Sequence, residues 1–245
     1  MSGWTAKRFW TDVTVSEREA GYAIALDSRP VRTPGKLELI VPTREMAEKV
    51  ADEWRAVDKI VDPSAMHWTR SANSAIEKVG PNRAGVEAHL AEYAATDLLC
   101  YRAEGPDELI VRQAAAWDPL LDRAASDLGA ALNVTRGVMP VDQPPASIGR
   151  LAEEMTGLSD FELTGFHDLV TLSGSFVIAV AALRNWDSLE VLWAASHVDE
   201  TYQVEQWGAD DEAAERATLR KEGFVHAADF LLSAKKLGSI NGLQP

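Results

Sequence analysis

The segment from Asp187 to Glu215 carries the residues whose types and spacing favour a binding surface. Trp193, Glu200 and Trp207 are spaced by seven, and residues seven apart on a straight helix drift by only about 20°. One helical stripe would then hold a carboxylate between two tryptophans. Such a carboxylate is costly to bury without a partner, but on the surface it can anchor an arginine or the backbone amides of another protein.

We therefore predict a partner-binding site on this segment. It consists of Trp193, Glu200, Gln203, Trp207, Asp210 and Glu212. The alternative is that both tryptophans belong to the core and that an arginine such as Arg184 or Arg220 pairs with Glu200.

The acidic residues at the end of the segment also have a purely structural explanation. Gly208 can serve as a helix C-cap, and Asp210 can cap a following helix that has Asp211 and Glu212 in its first turn. The same residues can thus terminate one helix and start the next without binding anything.

The histidines do not predict a metal site, because no two of them stand three to five residues apart as on a zinc-binding helix. They are His67, His89, His167, His197 and His226. No cofactor is predicted either, since both common glycine-rich phosphate-binding motifs are absent. The competing hypothesis is an enzyme that uses His167, Asp168 or Glu200 in a helical pocket, although adjacent residues on a helix point about 100° apart.

Composition and charge restrict the classes of partner. The chain has 245 residues, of which 46% are hydrophobic, and its net charge is −14. Such a charge repels phosphate backbones and anionic membranes, so we expect neither nucleic-acid binding nor membrane insertion. The single cysteine, Cys100, lies among apolar residues and is predicted to be a small core residue. The N-terminus shows no targeting signal, which favours a cytoplasmic location.

Alternating hydrophobicity between Phe9 and Val41 predicts three or four short strands in an antiparallel meander. Turns are expected at Glu19-Ala20-Gly21, at Asp27-Ser28 and at Pro34-Gly35.

From Pro42 onwards the hydrophobic period changes to that of helices. The first helix places Met46, Val50, Trp54 and Val57 on one face and ends before Asp62-Pro63. Later helices are predicted over 69–79, 82–101, 107–129, 147–156, 161–171, 174–183, 188–207 and 211–237. Ser159 with Glu162, and Asp187 with Glu190, have the spacing of helix capping boxes.

These elements predict an α+β fold with a small antiparallel β-rich N-terminal domain and a larger all-helical domain. We place the first domain at residues 1–62, the second at 63–238 and a flexible tail at 239–245.

Motifs along nearly the whole chain resemble those of the assembly chaperones that bind the unassembled α subunit of the ATP synthase F₁ sector. They are Arg8-Phe9-Trp10, residues 29–36 (RPVRTPGK), Val41-Pro42-Thr43, Glu53-Trp54, residues 93–102 (YAATDLLCYR), Gln113, residues 117–120 (WDPL), residues 172–175 (LSGS), Asp199-Glu200, Gln203, Trp207-Gly208, Asp210 and Glu212-Ala213. Two departures are Ser28, where the family has glycine, and His67, where proline is common.

The resemblance implies a two-domain protein without enzymatic activity. It implies that the chain binds newly made α subunit and shields its interface until the α–β hexamer forms, in the bacterial cytoplasm or, for eukaryotic relatives, in the mitochondrial matrix. The acidic region important in this family is similar to residues 200–212 here.

Overall fold

The computed structural model describes residues 7–208 and 210–235. Four short strands near the N-terminus are followed by a mostly helical chain, which confirms the predicted α+β fold class. The predicted tail at 239–245 lies outside the described residues.

The N-terminal sheet is built around one central strand. The strands are β1 (Val13–Arg18), β2 (Gly21–Leu26), β3 (Arg29–Pro30) and β4 (Ile40–Val41). β2 pairs with β1 along its whole length, and its other edge is shared by β3 and β4, all antiparallel. The predicted meander is therefore wrong in its last step, because β4 pairs with β2 rather than extending the sheet beyond β3.

The predicted turns connect these strands. Gly21 has φ of 151°, and a Cβ at this position would collide with the carbonyl oxygen of Val41, so a glycine is required there. At the next turn Asp27 takes the left-handed conformation with φ of 53°. Its carboxylate accepts the amide hydrogens of Thr11 and Asp12 at 3.0 and 2.9 Å. Ser28 is tolerated because Asp27 supplies the left-handed residue of the turn.

Ten α-helices are described after the first four strands. They are α1 (Arg44–Ala56), α2 (His67–Ser74), α3 (Arg83–Ala95), α4 (Asp107–Leu128), α5 (Pro145–Glu153), α6 (Asp160–Ser173), α7 (Phe176–Leu183), α8 (Leu189–Ser196), α9 (Val198–Trp207) and α10 (Asp211–Ala234). The capping box of Ser159 and Glu162 forms as predicted. At α8, however, the side chain of Ser188 caps Val191, and Asp187 bonds only to the amide of Ser188.

Two predicted elements differ from the structure. The helix expected to run to Tyr101 ends at Ala95, and a 3₁₀ turn (Leu98–Cys100) leads into β5 (Tyr101–Arg102). β5 pairs in parallel with β6 (Thr135–Arg136), a pair too short to produce a periodic sequence signal. The helix predicted over residues 188–207 is likewise not continuous and forms two helices, α8 and α9.

The chain divides into two compact units. Within the described residues, one unit comprises 7–83, Leu158–Gly165 and 229–235, and the other comprises the remaining residues. This division differs from the predicted boundary after residue 62, because apolar residues beyond it pack into the N-terminal core. They include Met66, Ala72, Phe230 and Ala234, which share that core with residues such as Ile24, Leu39 and Met46.

The second unit is organised around a buried carboxylate. Asp97 is fully buried and accepts hydrogen bonds from the hydroxyl of Ser175 at 2.8 Å and from the amides of Val177 and Leu99 at 3.0 Å each. Burial raises the pKa of Asp97 to about 6, although these hydrogen bonds act in the opposite direction. Asp97 thereby connects the turn after α3 to the start of α7, of which every residue from Phe176 to Ala182 is buried.

We expect Asp97→Asn to abolish a pH dependence of stability. Because the pKa of Asp97 is higher in the folded protein than in an unfolded chain, its stabilising protonation is fully present below about pH 4 and is lost as the pH rises through about 6. The free energy of unfolding of the wild type, relative to the variant, should rise by roughly 2 kcal/mol between about pH 7.5 and about pH 4.5. Urea unfolding at both pH values measures this difference.

The exposed Asp58 provides the control, because Asp58→Asn removes a carboxylate that is not buried. A difference between wild type and Asp97→Asn that stays constant with pH would contradict the expected protonation of Asp97.

Candidate functional site

The predicted single helix over residues 188–207 is two helices, α8 and α9, separated at His197. The backbone at His197 has φ of −129° and ψ of 27°. Its amide bonds to the carbonyl of Ala194, while the carbonyl of Trp193 accepts the hydroxyl of Ser196 at 2.8 Å. A side chain thus takes the place of the next helical amide, which explains why the helix ends here.

The break removes Trp193 from the predicted surface stripe. Its side chain is only 8% exposed, its ring lies 3.8 Å from that of His197, and it lies 5.5 Å from Phe224. The prediction of one exposed stripe is therefore wrong for Trp193, and the core alternative describes this residue. Because Trp193 is buried, it can contribute to a binding surface only by supporting residues that are exposed.

The other five residues of the predicted site are exposed. They are Glu200, Gln203, Trp207, Asp210 and Glu212. Glu200 and Trp207 stay on one helix, α9, so their spacing of seven still places them on similar sides of it. Trp207 is 79% exposed, which is unusual for a residue of this size. The core alternative is therefore wrong for Trp207.

The capping residues between α9 and α10 have the predicted arrangement. The amide of Gly208 bonds to the carbonyl of Val204 at 2.9 Å. The carboxylate of Asp210 accepts the amide of Ala213 at 2.8 Å, and Asp211 and Glu212 lie in the first turn of α10. Asp210 therefore caps α10 and is also exposed at the surface.

Neither candidate arginine pairs with Glu200 in the described part of the chain. Arg184 forms two hydrogen bonds with Glu154, at 2.6 and 2.8 Å. Arg220 donates to the carbonyl of Leu172 at 2.9 Å. The carboxylate of Glu200 consequently remains available at the surface.

Helix α4 holds α9 from its inner side. Gln113 donates to the carboxylate of Asp199 at 2.6 Å, and Arg112 pairs with Glu205 at 2.6 Å. The guanidinium of Arg112 also lies 5.3 Å from the ring of Tyr202, the buried residue of α9. These contacts between α4 and α9 could not be predicted from the sequence, because nothing in the spacing of Arg112 and Gln113 identifies their partners about 90 residues away.

The residues of the enzyme hypothesis do not converge. His167 and Asp168 contact each other at 3.0 Å, contrary to the expectation that their side chains point apart. Glu200, however, lines two surface grooves whose walls include neither of them. Cys100 is buried as predicted, and burial raises the pKa of its thiol to about 12, so it is not a thiolate at neutral pH.

In the part of the chain formed by residues 7–208 and 210–235, no three His, Cys, Asp or Glu side chains are grouped to hold a metal ion. None of its helices combines the length and the apolar character that a membrane span requires.

Comparison with known proteins identifies similar chains over most of this length. A family profile described as ATP12 chaperone protein matches residues 7–125. The mitochondrial protein atp12 of Schizosaccharomyces pombe is 23% identical over 224 residues, which are 85% of this chain and 76% of that protein.

Solved structures are more similar. Atp12 from Paracoccus denitrificans is 45% identical with a TM-score of 0.90, and the match covers 94% of this chain and 99% of that chain. A protein from Agrobacterium tumefaciens is 38% identical, also with a TM-score of 0.90, and the match covers 94% of this chain and 87% of that chain.

The two tryptophans should respond differently to truncation. We expect Trp193→Ala to lower the free energy of unfolding by about 3–5 kcal/mol, because it removes a buried ring that packs on His197 and Phe224. Trp207→Ala should change it by less than about 0.5 kcal/mol, since the side chain is exposed. Urea unfolding of both variants decides this, and equal losses would contradict the division of the stripe at His197.

Proposed function

Because the chain belongs to the ATP12 chaperone family, we propose that it is an ATP synthase assembly chaperone that binds the unassembled α subunit of F₁ and shields its interface until the α–β hexamer forms. The observation that carries the proposal is the exposed acidic and aromatic surface of α9 and the start of α10. We call these residues the acidic surface: Glu200, Gln203, Trp207, Asp210 and Glu212.

The acidic surface has the properties of an interface without its partner. Large exposed apolar side chains and uncommitted charges are typical of interaction sites, and tryptophan is among the residues that most often dominate binding energy. Trp207 supplies the first feature, and the exposed carboxylate of Glu200, which pairs with neither Arg184 nor Arg220 in the described part of the chain, supplies the second. The contacts that hold α9 on α4 join Gln113 to Asp199 and Arg112 to Glu205 and use no residue of the acidic surface, so partner binding does not compete with folding.

The enzyme alternative has less support. Membership of a chaperone family argues for a binding function, and His167 and Asp168 line neither groove of Glu200. The similarity to bacterial chains at 45% and 38% identity supports a cytoplasmic location as part of the proposal.

Reversing the charge of Glu200 tests the site. We expect Glu200→Lys to weaken binding of the isolated α subunit by about 2 kcal/mol or more, as substitutions at central interface residues do, without a change in melting temperature. Titration calorimetry and thermal unfolding on the same preparation measure both quantities.

The control is Glu19→Lys, which makes the same change in net charge in the exposed turn between β1 and β2. It should bind almost as the wild type does. Equal weakening by both variants would indicate a general effect of net charge, and wild-type affinity in a folded Glu200→Lys protein would remove Glu200 from the site.

Shielding of an assembly interface predicts competition with the β subunit. When β subunit is added to a chaperone–α complex, free chaperone should appear as α–β species form. Size-exclusion chromatography with mass detection resolves these species. A stable complex of chaperone, α and β would contradict occlusion of the interface.

A further inference from the structure

A groove with a volume of about 310 Å³ lies between α9 and the first half of α10. Its apolar lining includes Val204 on α9 and three alanines on α10: Ala213, Ala214 and Ala217. Glu200 and Asp210 also border it.

The groove exists because the side chains between the two helices are too small to fill it. Helix pairs normally interdigitate at high density, yet every residue from Asp211 to Arg220 is exposed, including the three alanines. An apolar cavity of about 150 Å³ holds one benzene-sized group. The groove between α9 and α10 therefore has room for about two large apolar side chains.

The groove is lined by two acidic side chains, Glu200 of α9 and Asp210 just before α10. The stretch from Asp187 to Glu215 contains nine acidic residues and neither lysine nor arginine. Two arginines of α10 also line the groove: Arg216 is paired with Glu212 at 2.9 Å, whereas Arg220 donates to the neutral carbonyl of Leu172 and keeps its positive charge. A basic side chain of a partner would therefore be attracted to Glu200 and Asp210.

His197 also lines the groove, with a neutral ring whose Nε2 is covered within the described part of the chain. The hydroxyl of Ser196 donates to the carbonyl of Trp193, so its oxygen can accept the Nδ1 hydrogen of His197 at 2.8 Å. This leaves Nε2 as the unprotonated nitrogen, and it is buried without a hydrogen-bond partner. Burial also lowers the pKa of His197, which keeps the ring neutral.

We propose that this groove binds a segment of the partner protein that presents two large apolar side chains beside a lysine or arginine. The proposal rests on the proposed function and specifies the chemistry that the acidic surface recognises. A second copy of this chain is a poor occupant, because it carries the same net charge of −14 and would be repelled. Nucleic acids and anionic lipids are disfavoured for the same reason.

Substitutions that place a larger side chain in the groove test whether it binds apolar side chains of the partner. Ala217→Leu, with Ala213→Leu as a second variant, places a larger side chain in the groove without changing charge or helix propensity substantially. We expect α-subunit binding to weaken about tenfold or more at an unchanged melting temperature. Ala88→Leu, at an exposed position of α3, is the matched control and should bind within about twofold of the wild type.

Removing the charge of Asp210 tests whether the groove recognises a lysine or arginine of the partner. Asp210→Asn keeps an oxygen that can accept the amide of Ala213 and removes only the charge. Its affinity for the α subunit should fall several-fold at low salt and approach that of the wild type at high salt, because surface charge is screened there.

The possible outcomes distinguish the groove proposal from the proposed chaperone function. If the wild type and both leucine variants bind the α subunit equally, the groove proposal is overturned and the chaperone function stands. If the wild type itself does not bind the α subunit, both are overturned. A wild-type dimer that Ala217→Leu dissociates in analytical ultracentrifugation would identify a second copy as the occupant and overturn the proposal. An Asp210→Asn protein with wild-type affinity at low salt would overturn the basic requirement.

Discussion

The carboxylate of Asp97 is the group on which the second unit depends. A carboxylate without hydrogen bonds is among the most costly groups to bury, so its donors must stay in place whenever the unit is folded. Those donors are the amides of Leu99 and Val177 and the hydroxyl of Ser175. The hydroxyl of Ser175 also accepts the amide hydrogen of Ile178 and so caps α7. Through Leu99 and Ser175, the carboxylate of Asp97 therefore fixes both the turn after α3 and the start of the buried helix α7.

The positions of the surface helices follow from inner contacts of this kind. Trp117 of α4 is buried and donates its indole hydrogen to the carbonyl of Ala195 at 2.6 Å, which fixes the end of α8. The hydroxyl of Ser196 then ends that helix, and Gln113 and Arg112 hold α9 on α4. These contacts do not involve Glu200, Gln203 or Trp207, which leaves these three exposed side chains of α9 available to a partner.

Helices with regular hydrophobic periods could be predicted from the sequence, and breaks caused by single side chains could not. α4 was predicted almost to the residue, because its apolar positions repeat over 22 residues and Gly129 ends it in the left-handed conformation. The break at His197 depends on a hydroxyl that replaces a helical amide and on a ring that packs on Trp193, and both residue types also occur inside helices. The seven-residue spacing of Trp193 and Glu200 is therefore typical of one helical face, but the two residues lie on different helices.

The first half of α10 shows how an exposed helix stays ordered without a core. From Asp211 to Arg220 no side chain is buried, so packing contributes little to its stability. Three local interactions stabilise this part of α10 instead. They are the cap by Asp210, the acidic residues in the first turn and the ion pair between Glu212 and Arg216, which lie four residues apart. The cap contributes about 0.5–2 kcal/mol and the ion pair about 0.2–0.5 kcal/mol, enough to favour a helix that continues into a buried second half. Because these interactions form within the first turns of α10 itself, the alanines can remain uncovered, and the stability of α10 does not require that the groove beside α9 be filled.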